Sequence, residues 1–213
     1  MTSSDLVSVP LRYARALEHY RDTLEAFGTV PQGVGWSSPA AQQIRFAQLA
    51  KLWEGHDEGQ RRFTLNDYGC GYGALLGFLQ LSRVKCAYRG YDPLPEMVCA
   101  AQGLYPTGAF TMDLATVEPA DFAVASGVFN VKHDVPDAEW LAYTEENLDV
   151  LARLGTKGFA FNMITHHVDY RVPELYYADP LHFFELCRSK YSKRVALLHD
   201  YPLYDFTVVV RYD

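Results

Sequence analysis

The chain has 213 residues, 19 Lys and Arg against 26 Asp and Glu, and a formal net charge of −7 at pH 7. A surface of that sign repels phosphate backbones and anionic lipid, so neither nucleic acid nor a membrane is expected as a partner. Hydrophobic residues at 49% can fill a core and charged residues at 21% argue against disorder, while no apolar run nears the roughly 20 residues that span a bilayer.

Residues 11–27 read as an amphipathic helix, with Leu11, Ala14, Leu17, Leu24 and Phe27 near one face and Gly28 at the stop. The Gly/Pro/Ser-rich VPQGVGWSSP must be loop, and Phe46, Leu49, Ala50 and Trp53 mark a second helix ending near Gly55. GHDEGQRR then makes a polar turn. From residue 62 short strands alternate with helices: 62–68, the helical run ALLGFLQLS, 85–91, a helix opened by Pro93 to about Gln102, 109–112 and 121–126. A helix from about Asp137 carries Leu141, Thr144, Leu148 and Leu151 on one stripe, and KGFAFNMI (157–164) is a fifth strand. Such alternation predicts βαβ units and a parallel sheet covered on both faces. The aromatic connection THHVDYRVPELYYADP leads to a helix with Asp179 as N-cap and Pro180 at its first position. Strands 194–200 and 204–212 follow, joined too tightly for a helical crossover, so they should pair antiparallel. The chain reads as one domain, 1–213, with residues 1–60 as an N-terminal helical extension or lid and 61–213 as a Rossmann-like core.

The densest local signal is Asp67-Tyr68-Gly69-Cys70-Gly71-Tyr72-Gly73 between a strand and a helix, where glycines let backbone approach a ligand. Asp92 ends the next strand, placed to accept hydrogen bonds from two ribose hydroxyls. The spacing Gly69-x-Gly71-x-x-Ala74 also fits a dinucleotide fingerprint, so spacing alone leaves a nicotinamide cofactor and S-adenosylmethionine both open. Asp67 favours the second: its carboxylate repels a pyrophosphate and suits a ligand with an amino group and a sulfonium.

Asp67 to Gly73 resembles motif I of the class I S-adenosylmethionine-dependent methyltransferases, and the likeness runs from about Gly35 to Tyr212. GWSSPAAQQIRF, YRGYDPLPEMV, ASGVFN and HDYPLYDFTVVV resemble a bacterial branch acting on small molecules. The resemblance implies an α/β, doubly wound, mostly parallel sheet of order 3-2-1-4-5-7-6 with strand 7 antiparallel and helices on both faces. Asn66 departs from it, since the family strand is usually apolar there. The resemblance also implies S-adenosyl-L-methionine as cofactor and S-adenosyl-L-homocysteine as product. Asp92 would hold the ribose, Gly69 and Gly71 the methionine end, and Asp67 the amino group. Asp113 and Leu114 would read adenine, Pro93 and Leu94 would pack on its face, and Ser126 with Gly127 would lie beside the methyl group. Arg45 is the candidate clamp for the methionine carboxylate, and Trp36 a cover over the cofactor or an anchor for its loop.

Methyl transfer is an in-line displacement that asks mostly for positioning and exclusion of water, with a base only where the acceptor arrives protonated. Asn130 and His133, just past the fourth strand, are the candidate catalytic residues. His166 and His167, leaving the fifth strand, and the loop's Tyr176 and Tyr177 are candidate walls of an acceptor pocket. His166, His167 and Asp169 are too sparse for a metal site, and no metal is expected. No Asn/Asp-Pro-Pro-Tyr/Phe follows the fourth strand and no basic aromatic stripe tracks RNA, so a small organic acceptor is expected. An NAD(P)-dependent oxidoreductase and a non-catalytic S-adenosylmethionine-binding regulator or scaffold are the rival readings. The N-terminus MTSSDLVSVPLRYAR has no apolar signal core, and Cys70, Cys86, Cys99 and Cys187 show no CxxC spacing, so reduced thiols and a cytoplasmic location are expected.

Overall fold

The computed structural model describes residues 13–56 and 62–212. Leu11 and positions 57–61 of the expected polar turn lie outside them. Seven strands form one sheet: β1 (Phe63–Tyr68), β2 (Cys86–Tyr91), β3 (Ala109–Thr111), β4 (Ala120–Ser126), β5 (Gly155–Ile164), β6 (Arg194–Leu198) and β7 (Asp205–Arg211). Their order is β3-β2-β1-β4-β5-β7-β6, as expected. The neighbours from β3 to β5 pair in parallel, whereas β7 runs antiparallel to both β5 and β6.

The helices are α1 (Ala14–Phe27), α2 (Pro39–Ala50), α3 (Ala74–Leu81), α4 (Pro95–Leu104), α5 (Asp137–Leu154) and α6 (Pro180–Lys190). Ser38 caps α2 by accepting from the Ala41 amide, and Asp179 caps α6 by accepting from that of Leu181. Two cores divide the sheet's faces. Phe122, Val124, Ala160 and Val209 pack with Phe46 and Leu49 of α2 and Leu75 and Leu79 of α3. Their strand neighbours Ala123, Ala125, Phe159, Phe161 and Val208 pack with Trp140, Leu148 and Leu151 of α5 and Phe183 of α6. The period of two sends alternate residues of central strands to opposite cores, which is why these strands read as nearly continuous apolar runs.

Buried amides bind the exceptions. Asn66 in β1 donates to the carbonyls of Glu118 and Leu154, at 2.9 and 3.1 Å, so the departure from an apolar strand is a hydrogen-bonded tie. Asn162 in β5 accepts from the Gly127 amide at 2.9 Å and donates to Ser126 Oγ at 3.2 Å, fixing the exit of β4.

Two expectations need correction. Helix α4 begins at Pro95, because Asp92 Oδ1 accepts from the Leu94 amide at 3.0 Å and turns Pro93 into part of a loop. The inward stripe of α1 is also different: Tyr13, just ahead of it, and Ala16 are buried, while Phe27 is exposed. Hydroxyl-bearing rings hid that face from a pattern built on aliphatic residues.

Candidate active site

The C-terminal ends of β1, β2 and β4 open beneath α1, leaving a cleft of about 1050 Å³ with its mouth included. Its floor is the glycine loop. Gly69, Gly71 and Gly73 take φ of 75°, 53° and 83°, a left-handed path that favours glycine. A Cβ on Gly69 would stand 2.5 Å from Val128 Cγ2. The amides of Gly69 and Cys70 both donate to the Tyr91 carbonyl, tying the loop to β2.

Two carboxylates face the cleft. Asp92 Oδ2 accepts from the Gly71 amide at 2.8 Å, and its other oxygen from Leu94. Asp67 accepts from the Tyr88 hydroxyl at 2.7 Å. Both are buried, and burial pushes Asp92 up to about 6, against the Leu94 and Gly71 amides. Burial likewise pushes Asp67 up to about 7, opposed by the Tyr88 hydrogen bond and assisted by the nearby Asp92 charge. Among the described residues no Lys, Arg or His lines the cleft. Two carboxyl groups are thus held out of water with no counter-charge among the described lining residues, which is why burial raises both.

The roof comes from α1 and α5. Tyr13, Ala16, Leu17 and Tyr20 stand at i, i+3, i+4 and i+7 and line the cleft with Trp140 and Tyr143. The Tyr20 hydroxyl donates to the Gly127 carbonyl at 3.1 Å. Arg15 pairs with Asp134 at 2.8 Å and Arg21 with Glu96 at 2.9 Å, so α1 is fastened on both banks.

Asp67, Gly69, Gly71, Asp92, Pro93, Leu94, Ser126 and Trp36 all line this one cleft. Others do not. Arg45 is a correction: its guanidinium donates to both oxygens of buried Asp205 and to the Ala41 carbonyl, so its charge is spent away from the cleft. Asp113 caps the short turn after β3, accepting from the Ala115 amide, and is exposed. Leu114 lines a smaller neighbouring cavity, behind Tyr68 and Tyr91.

The acceptor-side candidates Asn130, His133, His166, His167, Tyr176 and Tyr177 lie outside this lining. Asn130 Oδ1 accepts from the Ile164 amide at 3.1 Å, a bond that joins the ends of β4 and β5, while its Nδ2 is buried with no hydrogen-bond partner among the described residues. His133 adopts φ 50° and its ring packs on His19 of α1, 5.4 Å between centroids, outside the cleft lining. His166 and His167 bond each other at 3.0 Å beyond the end of β5, with His199 6.0 Å from the His167 ring. The Tyr177 hydroxyl accepts from the Val172 amide, and Tyr176 is buried, its amide donating to the Asn130 carbonyl. The long loop folds onto itself and the sheet: Tyr176 is buried, whereas His167 and Tyr170 are exposed. Sequence reasoning missed the α1 stripe, Trp140, Tyr143 and Asn162; the i, i+3, i+4, i+7 spacing of 13, 16, 17 and 20 was the available signal for the first.

A seven-stranded sheet of this order, with a glycine loop after β1 and an acid at the end of β2, defines the Rossmann-like methyltransferase fold. Solved structures agree on the fold: the magnesium protoporphyrin IX methyltransferase of Synechocystis PCC 6803 with bound SAM superposes with TM-score 0.61 at 16% identity, covering 99% of this chain and 100% of that one. A Leishmania major SAM-dependent methyltransferase gives TM-score 0.61 at 16% identity over 94% of this chain and 83% of its own. No family model matches the chain. A Mycobacterium tuberculosis (strain ATCC 25618 / H37Rv) protein, assigned to the methyltransferases by name with no acceptor attached, is 47% identical over 154 residues, 70% of this chain and 93% of the relative. The chain belongs to the class I S-adenosylmethionine-dependent methyltransferases. Among the described residues no helix is long and apolar enough to cross a membrane.

Proposed function

We propose that the cleft binds S-adenosylmethionine and hands its methyl group to a small organic acceptor held beneath α1. The observation that carries this reading is the pair of buried carboxyl groups, Asp67 and Asp92, with no Lys, Arg or His among the described residues that line the cleft around them. A ligand bearing an ammonium and a sulfonium supplies that missing charge, whereas a pyrophosphate would add to the repulsion. The residues present therefore fit the methyl donor and disfavour a nicotinamide dinucleotide.

In this reading Asp92, with two of its lone pairs taken by backbone amides, offers the remaining ones to the ribose hydroxyls. Asp67 faces the amino group, Gly69 and Gly71 bring backbone close to the methionine end, and Pro93 and Leu94 give adenine an apolar wall. Ser126 and Gly127, held by Asn162, border the reacting carbon. The bound donor supplies an electrophilic methyl carbon on a sulfonium. The chain's work is then to aim a lone pair and keep water out, which falls to Tyr13, Tyr20, Trp140 and Tyr143. With no histidine or lysine lining the cleft among the described residues, the reading calls for an acceptor whose lone pair is already free. Asn130 and His133 have no part in it. Residues 13–36 act as a lid over a core that begins at β1.

Calorimetric titration with S-adenosylhomocysteine, with NADH and NADPH in parallel, tests the reading. Micromolar binding of the first alone supports it. Binding of a nicotinamide nucleotide instead overturns it. Donor binding with no turnover on a broad acceptor panel would favour the non-catalytic regulator.

A further inference from the structure

The indole of Trp36 meets two groups. Gly127 at the exit of β4 lies so close that a Cβ there would stand 2.3 Å from the ring. The Arg45 guanidinium lies over the ring, 3.9 Å from its centroid. Arg45 belongs to α2, and its orientation is set by Asp205 at the start of β7, with Nε donating to Oδ1 at 3.1 Å, and by the Ala41 carbonyl. The Asp205 side chain is 1% exposed and that of Arg45 9%.

A pair buried this deeply contributes little net stability, because desolvation of both charges offsets their attraction, and apolar replacements are often equally stable. Its geometric effect is more specific. The planar fork, fixed at three hydrogen bonds, presents a flat cationic face to the indole, which lysine cannot copy. Trp36 itself sits in an irregular segment between a short 3-10 turn and α2 and is only partly buried.

We propose that Arg45 and Asp205 are positioning residues that clamp Trp36 against Gly127 and so fix one wall of the donor cleft. The inference rests on the cofactor reading above. It also gives Arg45 a role other than contact with the donor's carboxylate: it acts through the ring, one layer behind the cleft.

The test uses Arg45→Met/Asp205→Leu, which removes both charges and leaves neither partner buried alone. The protein carries three tryptophans, so 5-fluorotryptophan labelling gives three resonances, with Trp36→Phe assigning the one of interest. The double variant should keep a melting temperature near that of the wild type. The Trp36 resonance should shift or broaden while those of Trp53 and Trp140 stay, and the S-adenosylhomocysteine Kd should rise about three- to tenfold, as expected for loss of one cation–π contact. Arg45→Lys keeps a charge for Asp205 but loses the flat face, and should reproduce both changes if the double variant folds poorly. An unmoved Trp36 resonance, or a moved one with unchanged Kd, overturns the proposal. Failure of the wild type to bind S-adenosylhomocysteine refutes the cofactor reading instead, and the fluorine spectra still decide whether the clamp exists.

Discussion

Binding of a cationic methyl donor should be coupled to the loss of protons from Asp67 and Asp92. The perturbation is pH. With Asp67 near 7 and Asp92 near 6 in the free protein, Asp67 carries a proton in roughly nine molecules of ten at pH 6 and Asp92 in about half. A ligand that needs both carboxylates ionised then expels about 1.4 protons at pH 6 and about 0.1 at pH 8. Integrated over that interval, S-adenosylmethionine affinity should rise about 20-fold from pH 6 to pH 8, or about 1.8 kcal/mol. The sign reverses for the free protein. Both folded-state values lie above the unfolded ones, so the two groups favour folding at low pH, and that contribution fades as pH climbs through 6 and 7. The assay is titration calorimetry at pH 6 and 8 in two buffers of different ionisation enthalpy, where the difference in apparent enthalpy counts protons. Asp67→Asn should remove most of the release at pH 6. A flat affinity across the interval, with buffer-independent enthalpies, would refute the claim that an uncompensated carboxylate pair recruits the ligand.

Three further outcomes follow from the same geometry. Asp92→Ala should weaken S-adenosylhomocysteine binding by about 1.5–3 kcal/mol, the value of hydrogen bonds to a charged group, read by calorimetry. Gly69→Ala forces a side chain into a left-handed conformation 2.5 Å from Val128; a loss of about 1–3 kcal/mol of stability is expected by denaturant unfolding, with donor affinity reduced. Tyr20→Phe removes the bond between α1 and the Gly127 carbonyl, at a cost of about 1 kcal/mol, and should speed ligand dissociation in stopped-flow while melting changes little.

That Asp67, the glycine loop and Asp92 meet in one cleft was legible because their signals are local. Asp67, the glycines and Asp92 lie within 26 positions, and a strand-turn-helix-strand unit brings such residues together by its own geometry. The sheet order was legible for a similar reason: strand periodicity with one tight final hairpin admits few arrangements. What failed was the assignment of side chains whose partners are remote in sequence. Arg45 reads from the sequence as a clamp for the donor's carboxylate or an exposed helix arginine; Asp205, 160 positions away, takes its guanidinium instead. His166, His167, Tyr176 and Tyr177 lie at the correct end of the sheet, but the loop's own hydrogen bonds turn them aside. Asn130 is singled out in the sequence by its place just past the fourth strand, which does not reveal that its Oδ1 takes the Ile164 amide. The α1 stripe was missed because Tyr13 and Tyr20 count as polar in a simple pattern, although each buries most of a ring.

The way the cleft draws on separate stretches of chain bears on how such a protein can diversify. Much of its floor is the segment from Asp67 to Met97, whereas Tyr13, Ala16, Leu17 and Tyr20 of the roof occupy a single short stretch, with Trp140 and Tyr143 of α5 beside them. If the proposed function holds, changes in the floor would strike every reaction alike, since each acceptor would share the same donor, while changes in the roof would alter which molecule is admitted and leave the donor's seat intact. A lineage could then explore new acceptors by varying a few roof positions, and the search for a natural substrate is best guided by relatives grouped on Tyr13, Ala16, Leu17 and Tyr20.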